Sequence, residues 1–426
     1  MQLRYNFRIY PTPGQQIALA KAFGCARVVF NDGLAARHAA RTAGEPYIKD
    51  SVLQTRVITM AKRTPERAWL SEVSSVVLVQ ALADLHTAYR NFFSSVAGKR
   101  RGSKVCPPRF RSRKDNQHSI RFTRNGFSLR SNGRLYAAKI GELKVVWSRE
   151  LPSQPSSVTI IRDAAGRYHA SFVVEIASEP LPAVQTEVGI DLGLASFAVL
   201  SDGKSVASPR FLRHAERRLR KAQQSLSRKS KGSNNRAKAR VKVAKAHTKV
   251  ADTRRDWLHK NSTTIIRDNQ AVFVEDLCIR GLARTRLAKS VHDAGWGMFI
   301  RMLEDKATRY GRFFAKVDRW FPSTRLCSAC GVISEKKPLH VRAWTCVCGT
   351  AHDRDMNAAM NILAAGQAER LNACGGAVSL PSSRKRAPVK QEPAESDRRS
   401  LVGISAVHGR EDVKGRVRAG RTLCAS

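Results

Sequence analysis

Three carboxylates constrain this chain more than any other feature, because each stands where an acid is costly. Asp191 lies inside the apolar run VGIDLGLASFAVL, with Gly189 and Gly193 beside it. Glu275 ends the short buried run AVFVEDL, and Asp355 opens the helical stretch HDRDMNAAMNIL. Acids are scarce here: 34 Asp+Glu face 76 Lys+Arg among 426 residues, a net charge of +42. A carboxylate placed in an apolar strand therefore needs a reason. Taken singly, each has an ordinary one. Asp191 could sit at a turn or edge, Glu275 could pair with a surface cation, and Asp355 could cap its helix. Taken together, three acids on separate elements can converge and hold two Mg²⁺ ions, which prefer hard oxygen ligands. The small neighbours of Asp191 would let a ligand backbone come close. Asp202, Asp276 and Asp353 are neighbours of the trio, and Asp353 is the hardest to dismiss, two residues before Asp355.

The order of the trio, strand Asp, strand-end Glu and helix-start Asp, is that of a ribonuclease-H-like nuclease core. The periodicity around it agrees. Val188–Leu200 and SVASPRF read as a hairpin, 271–277 as a strand, Trp296–Tyr310 as an amphipathic helix, RFFAKVD as a strand and Asp353–Ala365 as a helix. The first half reads differently. Leu3, Tyr5, Phe7 and Ile9 alternate as a strand, and residues 14–43 are helical through Ile17, Leu19, Phe23, Val29, Phe30 and Leu34. Residues 51–62 and 68–97 are helical as well, the latter with Val73, Val77, Leu78, Leu82, Leu85 and Tyr89 on one face. Strands fill 105–178, with Asn125-Gly126 and Asn132-Gly133 as hairpin turns. The expected fold is multidomain α+β. A β-barrel over 1–10 and 105–180 carries a helical insert over 11–104. After a linker at Pro180–Ala183, an α/β domain spans 184–320 and 352–369. A cysteine ribbon occupies 321–351, and a disordered basic tail, rich in Pro and Ser, runs over 370–426.

Cys327-x-x-Cys330, fifteen residues, then Cys346-x-Cys348 has the spacing of a zinc ribbon, two thiolate pairs around one tetrahedral Zn²⁺. The second pair is one residue short, which tightens its knuckle, and His352 stands nearby as a substitute ligand. A ribbon between a strand and the Asp355 helix would fix where Asp355 points. Cys25, Cys106, Cys278, Cys374 and Cys424 show no partner spacing.

The positive charge is concentrated in blocks. Arg213–Lys249 holds 14 Lys+Arg and one acid, Glu216. It reads as two helices joined through Lys229–Asn235, with Leu212, Leu219 and Leu226 on a narrow apolar stripe that Val241, Ala244 and Thr248 continue. Lys99–Lys139 holds 13 Lys+Arg against Asp115, with Phe110, Phe122, Phe127 and Tyr136 interleaved. Such blocks suit a polyanion, the aromatics either stacking bases or facing a core. Candidate contacts are Arg109, Arg111, Arg113, Lys114 and Arg121 in the strands and Arg217, Arg218, Arg220 and Lys221 in the helices. Arg325 joins them, and Arg319 and Lys289 are placed by position alone. No apolar run is long enough to cross a bilayer, and MQLRYNFRIYPTP does not read as a secretory leader. The expected setting is the bacterial cytoplasm, at the nucleoid, with no membrane partner. The sequence leaves the oligomeric state open.

GIDLGLASFAVLSDG, VFVEDLCIRGL, DAGWGMFIRMLEDKATRYGR, FPSTRLCSACG and WTCVCGTAHDRDMNAAMNILAAG resemble the TnpB (OrfB-type) proteins of bacterial insertion sequences. The likeness covers 1–375, including PPRFRSRKDNQHSIRFT. Two departures are the shortened second Cys pair and Asp305, where relatives often carry an aromatic. The resemblance implies an RNA-guided DNA endonuclease related to compact CRISPR effectors with a single nuclease domain. Its RuvC-like triad would fall on Asp191, Glu275 and Asp355, and its ribbon ligands on Cys327, Cys330, Cys346 and Cys348. The front half would be a wedge barrel with a recognition insert that holds the guide-RNA scaffold and reads a short motif beside the target. Partners would be a guide RNA encoded near the transposon end and double- and single-stranded target DNA, with Mg²⁺ catalytic and Zn²⁺ structural. The competing readings are a guided DNA-binding repressor without cleavage, a strand-joining transposase, and a general basic RNA-binding protein.

Overall fold

The computed structural model describes residues 1–373 except Arg101, Asn116, Gln117 and Leu339. Of the basic tail expected over 370–426, residues 370–373 instead prolong the last helix, and 374–426, with Cys374 and Cys424, lie outside the described residues.

The front half opens with β1 (Gln2–Tyr10), whose alternation buries Tyr5, Phe7 and Ile9. Helix α1 (Pro13–Thr42) starts at a capping box in which Thr12 and Gln15 satisfy each other's backbone N–H. It buries Leu19, Phe23, Val29, Phe30 and Leu34, while Ile17 faces outward at 62% exposure. The stretch read as one helix over 51–62 is α2 (Asp50–Gln54) running into π and 3₁₀ turns. Helix α3 (Ser75–Val96) buries Val77, Leu78, Leu82, Leu85 and Tyr89.

Seven strands form one open half-barrel sheet. The remaining six are β2 (His118–Thr123), β3 (Phe127–Leu129), β4 (Leu135–Ala137), β5 (Gly141–Val146), β6 (Ser157–Arg162) and β7 (Tyr168–Glu175), in the order β2-β6-β7-β1-β5-β4-β3. Asn132-Gly133 turns the β3–β4 hairpin, Gly133 taking φ of 73°. Asn125-Gly126 does not turn a hairpin. It lies in a 3₁₀ turn that carries the chain from one sheet edge to the other. Among the described residues β2 and β3 do not pair, so the expected barrel stays open. Helix α3 packs beside that opening: its Asp84 binds Arg121 of β2 at 3.2 Å, and its Val76 would lie 3.2 Å from a Cβ on Gly126. Sheet and helices share one hydrophobic core, from Tyr5 to Ile176, and Phe122 and Phe127 belong to it.

The second half is built on β8 (Glu187–Asp191), β9 (Ser196–Leu200) and β10 (Ser205–Ala207), followed by the basic helices α4 (Phe211–Ser227) and α5 (Asn234–Asp268). Strand β11 (Ala271–Glu275) precedes α6 (Ile279–Leu282), α7 (Ala288–Ala294) and α8 (Trp296–Tyr310), and β12 (Phe313–Val317) completes the sheet. Strand order is β10-β9-β8-β11-β12, antiparallel from β10 to β8 and parallel from β8 to β12. The small hairpin β13 (Ala343–Thr345) and β14 (Ala351–Asp353) leads into α9 (Arg354–Ala373).

Alternation divides this sheet into two faces. Val188, Ile190, Val272 and Val274 pack with α5 and α8 in one core. Ala271 and Phe273 pack with Ile362 and Ala365 of α9 in another. The linker Pro180–Ala183 is held against this domain, because the buried Arg312 donates to Pro182 O at 2.9 Å and Leu181 N to Tyr310 O at 3.1 Å.

Candidate nuclease and metal sites

Asp191 ends β8 and Glu275 ends the neighbouring parallel β11, each one residue past the Ile190–Val274 pair. By the two-residue period they share the α9 face with Gly189 and Phe273. Close packing sets α9 there. A Cβ on Gly189 would lie 2.2 Å from Ala359 O and 2.4 Å from Leu363 N, so glycine is what lets helix and strand backbones touch. Asp355 is one helical turn before Ala359, just as Asp191 is one step beyond Gly189 on the same strand face. The contact that seats the helix therefore also carries Asp355 toward Asp191.

The electrostatics report this convergence. Asp191 is pushed from its ordinary 3.8 up to about 7, first by burial, then by the charges of Asp355 and Glu275, against Arg354 and Arg342. Glu275 is raised by burial and by Asp276. Asp355 takes two hydrogen bonds from Arg342 Nη1, at 2.9 and 3.1 Å.

Capping falls to Asp353 instead of Asp355. Its Oδ1 accepts from Asp355 N at 3.0 Å and Met356 N at 2.8 Å. This frees the Asp355 side chain from the helix end. Asp276 pairs with Arg319 and Asp202 with Lys204, so both are engaged elsewhere.

The four cysteines come together below the start of α9. All four sulfurs lie within 4.8 Å of one another, with Cys327–Cys348 at 3.8 Å and Cys330–Cys346 at 3.6 Å. Tetrahedral Zn–S bonds of about 2.3 Å imply sulfur separations near 3.8 Å, so the set fits one zinc ion. Both sulfurs of the shortened pair reach the cluster. The Cys348 thiol is lowered to about 6, chiefly by the Thr350 hydroxyl 3.3 Å away. His352 Nε2 lies 3.0 Å from Cys327 Sγ, with its ring against Trp344.

Two buried asparagines join the ribbon to the helix. Asn361 Nδ2 donates to Ser323 O at 2.8 Å and to Leu326 O at 2.7 Å. Asn357 Nδ2 donates to Leu326 O at 2.7 Å, and its Oδ1 accepts from Ser328 N at 2.9 Å. Sequence reasoning missed Arg342, Asn357 and Asn361. The i,i+4 spacing of two asparagines in an otherwise apolar helix was their available signal, whereas Arg342 had none.

The basic candidates divide. Arg111 and Arg121 both bind Asp84, and Arg111 also covers the Phe30 ring at 3.8 Å. Arg325 donates to Ser334 O within the ribbon. Arg220 and Lys289 both pair with Glu216. These five have partners within the protein. Arg109, Arg113, Lys114, Arg217, Arg218 and Lys221 are exposed. On α4, Leu219 is buried and Leu212 and Leu226 partly so, whereas Val241 on α5 faces outward, its helix turning Ala239 and Val250 inward instead. Phe110 is exposed, unlike the core rings Phe122 and Phe127.

Three family models match: a probable transposase, OrfB_IS605, over 171–286; a Cas12f1-like TNB domain over 296–362; and a helix-turn-helix domain over 1–45. The last stretch folds here as a strand and one long helix. A Streptomyces pristinaespiralis protein provisionally named an RNA-guided DNA endonuclease is 46% identical, over 94% of this chain and 97% of its own. InsQ of Escherichia coli K12, named likewise, is 31% identical over 92% and 97%. The structure of a Cas12f1–sgRNA–target DNA complex is similar in fold, with a TM-score of 0.51, 13% identity and 82% coverage of both chains.

Proposed function

Because the chain belongs to the TnpB (OrfB-type) family, we propose that it is a transposon-associated RNA-guided DNA endonuclease whose RuvC-like, ribonuclease-H-like domain hydrolyses phosphodiesters. The observation that carries the reading is the convergence of Asp191, Glu275 and Asp355 at one end of a parallel strand pair, in a protein of net charge +42. A buried carboxylate that also feels two neighbouring negative charges is a site that a cation would relieve.

In this reading the three carboxylates are the ligands of divalent metal. Two Mg²⁺ ions bound there would supply an activated water and a stabilised leaving oxygen at the scissile phosphate. Without metal, Arg342 neutralises Asp355 and keeps its carboxylate in place. Asp353 caps α9, Gly189 seats it, and the zinc ribbon clamps it through Asn357 and Asn361. All three act on where Asp355 points. The half-barrel with its helices takes the part of wedge and recognition lobe, and the exposed cations of α4 and of 109–114 grip guide and target through their backbones. Base pairing with the guide supplies sequence specificity.

The test is cleavage by protein purified with its RNA. The guide is read from the RNA that co-purifies, and a matched target is incubated with Mg²⁺. Wild type should cut the matched target alone, and Asp191→Ala should bind it without cutting. Cutting by Asp191→Ala defeats the site assignment, and RNA-independent strand transfer favours a transposase.

A further inference from the structure

Trp320 is the most exposed tryptophan among the described residues, with 85% of its surface in solvent, yet it stands on an anchored loop. Val317 is the register partner of Glu275, and Asp276 N donates to Val317 O at 2.9 Å. The loop leaves the sheet at that point, the same end as the three carboxylates. Arg319, beside Trp320, pairs with Asp276, beside Glu275. Asp318 Oδ1 accepts from Trp320 N at 2.8 Å. Phe321, on the other side, packs against the α9 core, and Ser323 O is held by Asn361 at 2.8 Å. The ring is thus presented outward from a loop fixed on both flanks. Three residues of chain place its Cα within about 11 Å of Val317.

An indole held out to water on a rigid mount has no packing role. Its face can stack any base, because every base has a π-face. Resting on the nuclease reading above, we propose that Trp320 is a positioning residue, a stacking platform for a base of the DNA single strand presented to Asp191, Glu275 and Asp355. Stacking there fixes the register of the strand, and so which phosphate faces the carboxylates. Chemistry stays with the acids.

The experiment uses the full chain with its RNA and single-stranded target oligonucleotides carrying 2-aminopurine at successive positions around the cut. Without divalent metal, wild type should quench the probe at one or two adjacent positions, Trp320→Phe should retain the quench, and Trp320→Ala should lose it. Loss of one stack should weaken binding about tenfold. With Mg²⁺, Trp320→Ala should raise KM by a similar factor, leave kcat near wild type and blur the cut position, and Trp320→Phe should restore all three. Absence of quenching by wild type, or unchanged quenching and KM in Trp320→Ala, overturns the proposal. Quenching without cleavage by wild type keeps the platform and defeats the nuclease reading instead.

Discussion

Gly189→Ala is the sharpest perturbation the structure offers, because it moves one proposed ligand without altering any of the three. The new Cβ would lie 2.2 Å from Ala359 O, where 3.0 Å is the closest real Cβ atoms come, so strand and helix must part by at least 0.8 Å. The opposing atoms are backbone, and no rotamer can yield. Forcing a methyl into such a contact costs about 1–3 kcal/mol. Asp355 rides one turn along the displaced helix, and a misplacement near 1 Å in a reacting constellation lowers rate by roughly 10²-fold. Single-turnover cleavage of a guide-matched target at saturating Mg²⁺ reads the effect, with thermal melting and target binding as controls for folding. Gly366→Ala supplies the contrast. Its Cβ would meet the Phe273 ring at 2.1 Å, a side chain, so truncating that side chain with Phe273→Ala should relieve it. The same Phe273→Ala should not rescue Gly189→Ala. A folded Gly189→Ala protein that cleaves at the wild-type rate refutes the link between helix seating and the position of Asp355.

Three other outcomes follow from the same geometry. Asp191 has its carboxyl raised from 3.8 to about 7, so the metal-free native state holds a proton the unfolded chain releases; its contribution to stability is full below 3.8 and lost as pH rises through about 7. Melting of metal-free protein should drop across that window, and Asp191→Asn should flatten the drop. Removing the cap with Asp353→Ala should cost about 1 kcal/mol and slow cleavage, while Asp353→Asn, which keeps the acceptor, should retain both, as melting and single-turnover rates would report. Cys348→Ser should lower bound zinc measured by elemental analysis and slow cleavage by loosening the start of α9, and an unchanged zinc content would place the fourth ligand elsewhere, at His352.

Much of this organisation was legible in one dimension. The 3.6-residue pattern of Trp296–Tyr310 and the two-residue pattern of β1 and β11 correspond to the elements observed, since each buries one face against a neighbour. The cysteine spacing foretold a four-sulfur cluster, because knuckle geometry is local. Legibility stopped where the deciding partner was distant in sequence. Asn125-Gly126 has hairpin chemistry, yet Val76 and Phe122 hold it in a 3₁₀ turn between sheet edges. The partner of Arg111 and Arg121 within the protein, Asp84 on α3, lies 27 and 37 residues away in the chain. Ile17 and Val241 fit an apolar stripe and face outward, because a helix rotates to suit its most heavily packed side.

By itself, then, the sequence determined which acids stand in apolar surroundings, which cysteines are spaced for one metal and where positive charge accumulates. All three are properties of neighbours along the chain. Only the tertiary structure decided that Asp353 caps α9 and leaves Asp355 free, that Arg342 is its counter-ion, and that Asn357 and Asn361 tie the ribbon to the helix. The seating of α9 on β8 is likewise set by how closely two backbones approach at Gly189, between positions 170 apart in the chain, 189 and 359. Periodicity along a sequence carries no record of such a distance.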